Sequence, residues 1–255
     1  MKFLLRIMTI WMLVQLVACS SIPTGAPRSD ANQDALGNNP WAKASVPIRA
    51  SAEVWQHFKF PGKQATQFSY AREDGREALV ASAKSSASLV RKVVHIPPAD
   101  IGQIRFSWKV PALMSGADMS VKETDDCSVR IVLAFDGDRS KFSPKNAMLS
   151  ELARLLTGEE LPYATLMYVW SKNRPAGSVI INPRTDRIRK LVVESGDGKL
   201  NSWVDYERTI RADFEKAFGE APGALMSVSV MTDSDNTKSN TQAWYGPLTI
   251  TAAKP

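Results

Sequence analysis

Histidine and cysteine are almost missing from this chain, with two of each in 255 residues. A Ser-His-Asp triad or a histidine-ligated zinc needs histidine in a set relation to its partners. His57 and His95 stand far apart and outside any H-E-x-x-H spacing. The chain also lacks a G-x-S-x-G elbow and a glycine-rich phosphate loop. No lysine- and arginine-rich run marks a nucleic-acid patch, although the formal charge is +6 and Lys2 and Arg6 supply two of those charges. The two cysteines are Cys19 and Cys127, so modification of Cys19 leaves no intramolecular disulfide. Cys127 lies in an apolar alternation and is expected to be a buried small hydrophobe. These absences weigh against catalysis and exclude nucleic acid as the expected partner. What remains is 44% apolar and 23% charged, the composition of an ordinary globular domain.

One long apolar run is present, at the very start. Lys2 and Arg6 precede and punctuate Phe3 to Ala18, and the stretch ends Leu16-Val17-Ala18-Cys19. It is too short for a transmembrane helix and has the form of a secretory signal, residues 1–19. The ending resembles a bacterial lipobox, which implies acylation of Cys19 and cleavage before it. The alternative is an ordinary signal peptide with an incidental cysteine. Several acyl chains hold firmly, since each buried CH₂ adds about 0.8 kcal/mol. Ser20 and Ser21 follow the cysteine in place of an aspartate. By resemblance to enteric lipoprotein sorting, this implies the outer membrane, facing the periplasm. The expected setting is the bacterial cell envelope, with the membrane as a partner through the lipid.

Residues 20–51 are rich in proline, glycine and asparagine and read as a flexible tether, with Trp41 as an early anchor. The compact domain is expected over 52–255. Short alternating segments predict strands over 67–71, 78–83, 89–96, 104–110, 128–135, 164–170, 178–182, 187–194, 226–231 and 248–251. Helices are predicted over 146–156 and 205–218, the second stopped by Gly219. The fold class is therefore mainly β, an antiparallel β-sandwich of jelly-roll type with two inserted or peripheral helices.

Period-two spacing divides the strand at 128–135 into two faces. Cys127, Val129, Ile131, Leu133 and Phe135 form an apolar face, and Asp126, Ser128 and Arg130 begin the other. Ile104, Phe106, Trp108 and Val110 are likewise apolar, opposite Arg105, Ser107 and Lys109. If these strands are neighbours, Lys109, Asp126, Arg130, Ser227 and Ser229 share one polar sheet face. That face is either a ligand-binding surface or a solvated sheet with cross-strand ion pairs. Arg130 either offers its planar fork to a ligand or pairs with Asp126 or Asp233. The Asp233-Ser234-Asp235-Asn236 loop offers Asp233, Asp235 and Asn236 as oxygen ligands for a structural calcium, or is a turn held by its own side chains. Trp203 and Trp244 lie in loop contexts and are candidates to stack on a sugar ring.

An ordered series of motifs runs through the domain: W-x-x-F-x-F at Trp55–Phe60, S-W-K-V at Ser107–Val110, D-D-x-x-x-R at Asp125–Arg130, D-F-x-x-x-F-G at Asp213–Gly219, T-D-x-D-N-T at Thr232–Thr237 and Y-G-P-L-T-I at Tyr245–Ile250. This resembles a family of secreted bacterial proteins known as domain of unknown function 3047, over roughly residues 52–251. The resemblance implies a fold similar to galactose-binding-like jelly rolls, whose members often bind carbohydrate and a structural calcium. The resulting expectation is a lipid-anchored envelope protein whose sandwich binds a glycan without catalysis. Its ligand-binding residues would be Lys109, Asp126, Arg130, Asp233, Asp235, Asn236, Trp203 and Trp244. The alternatives are a polysaccharide hydrolase using a carboxylate pair, from Asp125 or Asp126 with Asp233 or Asp235, and a structural lipoprotein bridging protein partners.

Overall fold

The computed structural model of the protein describes residues 36–253. The expected signal segment, Cys19 and the first part of the expected tether lie outside the described residues. Two sheets form the body. The first has seven strands in the order β1 (Gln56–Lys59), β4 (Ala87–Ile96), β11 (Leu225–Asp233), β6 (Cys127–Phe135), β7 (Ala164–Ser171), β9 (Ile188–Ser195) and β8 (Val179–Ile181). The second has β10 (Trp203–Thr209), β5 (Ile101–Lys109), β12 (Asn240–Tyr245), β3 (Arg76–Lys84) and β2 (Gln67–Glu73), with β13 (Thr249–Ala252) also paired to β5. Among the described residues, the α-helices α1 (Pro40–Ala44), α2 (Pro144–Thr157) and α3 (Ile210–Phe218) accompany them.

The alternation read from the sequence sets the layers. Val129, Ile131, Leu133 and Phe135 of β6 turn inward, as do Ile104, Phe106 and Trp108 of β5, and all are buried in one core. Phe106 stacks on Tyr168 of β7 at 5.6 Å and ties the two sheets together. Phe214 of α3 packs against Phe135 at 4.6 Å and closes one end of the core. Cys127 does not continue the inner face expected of it: past the register shift opposite Met231 and Asp233 it is buried in a second cluster with Val169, Ile180 and Val192, and burial pushes its thiol pKa up. The sandwich is mixed and not wholly antiparallel, because β7 and β9 run parallel. The chain leaves β7, forms β8 at the sheet edge, and returns through β9 between them, antiparallel to β8.

Three further sequence expectations need correction. The segment 205–218 is not one helix: Asp205–Thr209 continue β10, and the helix starts at Ile210. Pairing with β5 decides this, since it sets Tyr206 against Phe106 with stacked rings at 5.1 Å. Trp203 and Trp244 lie in strands β10 and β12, not in loops. The domain begins before Ala52: Leu36 and Trp41 are fully buried, and Trp41 Nε1 donates to the Gly246 carbonyl at 2.9 Å. Pro47 bridges to Ile250 and Ala50 to Val94, so residues 36–51 are packed structure and not free tether.

Candidate functional site

The outer face of the seven-stranded sheet carries a trough of about 450 Å³. Its lining includes side chains from β1, β4, β11, β6, β7 and β9. At about 4.8 Å per strand, it crosses roughly 24 Å of sheet. Leu89, Val132, Ala134, Met167 and Met231 form much of an apolar floor, with the hydroxyls of Thr165, Ser227 and Ser229 set among them. Phe58 and Phe60 stand at the β1 end, while Ala153 and Thr157 of α2 and Leu161 and Pro162 after it line the far side. The period-two argument thus assembles this face: Arg130, Val132 and Ala134 of β6 lie beside Ser227, Ser229 and Met231 of β11.

A lattice of buried charges sits at one end of the floor. Arg130 is 2% exposed. Its Nε donates to Asp233 Oδ1 at 2.8 Å and its Nη2 to Asp233 Oδ2 at 2.9 Å. Nη2 also reaches Asp125 Oδ1 and the Asp125 carbonyl, both at 3.1 Å. Lys190, fully buried, donates to both Asp125 oxygens at 2.7 and 2.6 Å and to the Met119 carbonyl at 2.7 Å. Asn182 Nδ2 adds a bond to Asp125 Oδ2 at 3.0 Å. Asp233 Oδ1 also accepts from the Cys127 backbone at 3.1 Å.

The charges settle one another unequally. Burial raises the Asp233 carboxyl to about 6 even with Arg130 against it. Burial works on Asp125 in the same sense, yet Arg130 and Lys190 together hold its pKa below the ordinary value. Burial and then the neighbouring Arg130 lower Lys190 to about 8. Arg130 stays charged, because Asp233 and Asp125 outweigh its desolvation.

Every carboxylate lining the trough is held by a cation. Asp125 and Asp233 have the partners above, Asp235 pairs with Lys63, Glu159 with Arg91 at 2.6 Å and Glu160 with Arg139 at 3.1 Å. Asp126, Asp233 and Asp235 bring carboxylate oxygens within 4.8 Å of one another, the nearest thing to a cation site here. Their donors do not fit a calcium. Arg130 already takes both oxygens of Asp233 and Lys63 takes Asp235. Asp126 accepts from the Asn236 and Thr237 backbone at 3.2 and 2.6 Å and from the Thr237 hydroxyl at 2.6 Å. Asn236 spends its side chain on the Asp125 carbonyl at 3.2 Å. The loop is thus cross-braced to the segment before β6.

The residues singled out in the sequence fall on two opposite surfaces. Arg130, Asp233, Asp235 and Asn236 line the trough, and Asp126 braces it from behind. Lys109, Trp203 and Trp244 do not join them, because β5 belongs to the other sheet. There Trp203 and Trp244 both stand opposite Lys109, forming one cross-strand row. The Lys109 ammonium lies 5.6 Å from the Trp244 ring centre and bonds Glu73 and Asp74 at 2.5 and 2.8 Å. Arg76 covers Trp203 at 5.2 Å. The next row, Gln67, Ser82 and Gln242, lines a second cleft of about 570 Å³ walled by Pro111–Met114.

Sequence reasoning missed Lys190 and the central role of Asp125. The signal for Lys190 was its place between Ile188 and Val192 on one strand face, where a lysine must find a buried partner.

A family model described as "Protein of unknown function (DUF3047)" matches residues 53–249. No curated protein matches the sequence. Among solved structures, the xyloglucanase domain of NopAA, a type three effector from Sinorhizobium fredii in complex with cellobiose, is similar at 10% identity and a TM-score of 0.42, over 82% of this chain and 99% of that one. A CBM4 structure is similar at 10% identity and a TM-score of 0.37, over 87% and 99%. CBM29_1, a family 29 carbohydrate binding module from Piromyces equi, gives 9% identity and a TM-score of 0.32, over 82% and 89%. The sandwich itself rests on the sheets described above.

Proposed function

The chain belongs to the family of proteins of unknown function DUF3047, a description that assigns no activity, and from its own surfaces we propose that it is a non-catalytic glycan-binding protein whose site is the trough on the seven-stranded sheet. The observation that carries this reading is the trough's chemistry. A sugar presents apolar ring faces and hydroxyl edges. On β11, β6 and β7 the floor sets Met231, Val132 and Met167 among the hydroxyls of Ser227, Ser229 and Thr165, and the trough as a whole crosses about 24 Å of sheet, room for an extended oligosaccharide. A glycosidase needs a free acid and a free base or nucleophile facing one another. Here each carboxylate in the trough is committed to a cation, which favours binding over hydrolysis.

Titration calorimetry of neutral oligosaccharides, chosen from a glycan array, tests the site. Ser227→Tyr fills the trough, and Gln242→Tyr fills the cleft on the opposite sheet. Loss of binding in the first and not the second, with both melting as the parent does, is the expected result. Unchanged binding in Ser227→Tyr, or loss confined to Gln242→Tyr, places the ligand elsewhere. Release of reducing ends from any bound glycan overturns the non-catalytic reading.

The proposal includes the setting read from the sequence: acylation at Cys19 and an outer-membrane position facing the periplasm. Cys19→Ser should move the protein from the membrane to the soluble fraction and abolish the acyl mass. Quantitative sedimentation of that variant with membranes refutes the anchor.

A further inference from the structure

The helix α2 is attached to the body largely by polar side chains. Asn146 Nδ2 donates to Asp186 at 2.7 Å and its Oδ1 accepts from Thr185 at 2.7 Å, while Ser150 accepts from Arg139 at 3.1 Å. Leu149 and Ala153 are half-buried on the same side. The opposite arc carries Met148, Leu152, Leu155 and Leu156, which are 64%, 50%, 71% and 61% exposed. The spacing i, i+4, i+7, i+8 makes them a continuous ridge. A ridge of four large apolar groups on one exposed helix differs from scattered surface leucines and marks an interaction surface.

We infer that this ridge seats α2 in the interfacial layer of an anionic lipid bilayer. Two observations select a bilayer over a second copy of the chain. The first is size. Four such side chains offer roughly 60–120 Å² each, about 240–480 Å² in all, well short of the roughly 800 Å² per partner of a stable protein interface. The second is charge. Lys145 lies on the ridge's own arc, and Lys141 and Arg184 stand near the helix start, next to Asp186 and Thr185. Lys145 and Arg184 form no salt bridge among the described residues, while Lys141 faces Asp138. A leucine and methionine ridge flanked by free cations matches acyl chains beneath anionic headgroups. Geometry permits the contact: from Cys19 to Leu36 the chain can span at most about 60 Å, more than the roughly 45 Å diameter of a domain this size.

The full chain carrying Leu155→Cys, labelled with a nitroxide, tests the inference in phosphatidylethanolamine–phosphatidylglycerol vesicles. The same label at Gln242→Cys, on the opposite sheet, is the control, and the unsubstituted chain measures labelling at native thiols. The expected result is a gain in collision with oxygen and a loss with a water-soluble nickel chelate at position 155 only. The gain should be smaller with phosphatidylcholine alone, and smaller again with Leu152→Glu added. Position 155 remaining in water while the chain floats with vesicles overturns the inference, because another part of the chain then holds the membrane. Failure of the chain to float overturns it too. Spin–spin broadening at position 155 that grows with protein concentration in the absence of vesicles assigns the ridge to a second copy instead.

Discussion

Replacing Arg130 by methionine keeps the volume of the side chain and deletes its charge. The guanidinium is 2% exposed and both carboxylates it holds, Asp125 and Asp233, are 5% exposed. Water cannot take its place. Asp125 keeps Lys190, but Asp233 is left with a single backbone donor, Cys127 N–H, and with Asp125 and Asp126 nearby. Stranding a buried charge in this way costs about 3–5 kcal/mol. For a domain of this length each kcal/mol lowers the melting temperature by about 2–4 °C, so the variant should melt roughly 6–20 °C below the parent. The pH dependence carries the signature. In the parent, the Asp233 pKa of about 6 exceeds its unfolded value. This group therefore favours the fold when protonated, and its contribution falls as pH rises through about 4–6. Arg130 is what restrains that pKa, so without it the window extends upward. The deficit of Arg130→Met should be largest near pH 7–8 and shrink on acidification toward pH 5. Adding Asp233→Leu should recover part of the loss, giving a coupling of about 1–3 kcal/mol in a double-mutant cycle. Urea unfolding of the four proteins at pH 5 and pH 7.5 measures all of this. A cost below about 1 kcal/mol, a deficit that grows in acid, or strictly additive single effects would show that the lattice is not what holds this end of the trough.

Leu133→Ala in the middle of β6 should cost about 2–5 kcal/mol by urea unfolding, because Leu133 is fully buried between the sheets. Trp41→Ala should cost about 3–5 kcal/mol, since its ring fills the core and its indole bonds Gly246; a change under 1 kcal/mol would return residues 36–51 to the status of a tether. Calcium and chelator should leave the melting temperature unmoved, because Lys63 and Arg130 already occupy the acidic cluster; a rise with calcium reversed by chelator would contradict that.

The layers were legible because burial leaves a period of two. β6 and β5 declare their inner faces residue by residue, and the shared outer face of β6 and β11 follows from Arg130, Ser227 and Ser229. The site was legible only in part, because alternation says which residues share a face of one strand and not which strands share a sheet. Ser107 and Arg130 are near in sequence, but the connection over 110–126 carries the chain from one sheet to the other. Lys109 and Trp244 therefore parted from Arg130. The segment at 205–218 misled for a related reason: its aromatic spacing suits a helix, and only the pairing of Tyr206 with Phe106 makes the first part a strand. α2 was visible as a helix from Asn146 to Leu156, but which arc would be left bare depended on the polar contacts of Asn146 with Thr185 and Asp186.

The lock between Trp41 and Gly246 sets an order on assembly. These residues are 205 positions apart, and the bridge from Pro47 to Ile250 joins the same two ends of the domain. A chain made from its amino end must carry Trp41 without its Gly246 partner until the last thirty or so residues exist, because β11, β12 and β13 all lie beyond Ala224. β11 is also the strand that stands between β4 and β6, so the seven-stranded sheet remains in two pieces until then. Closing such distant pairs is slow and leaves strand edges and aromatic surface bare meanwhile. The fold is thus one that completes only after nearly the whole chain has been made.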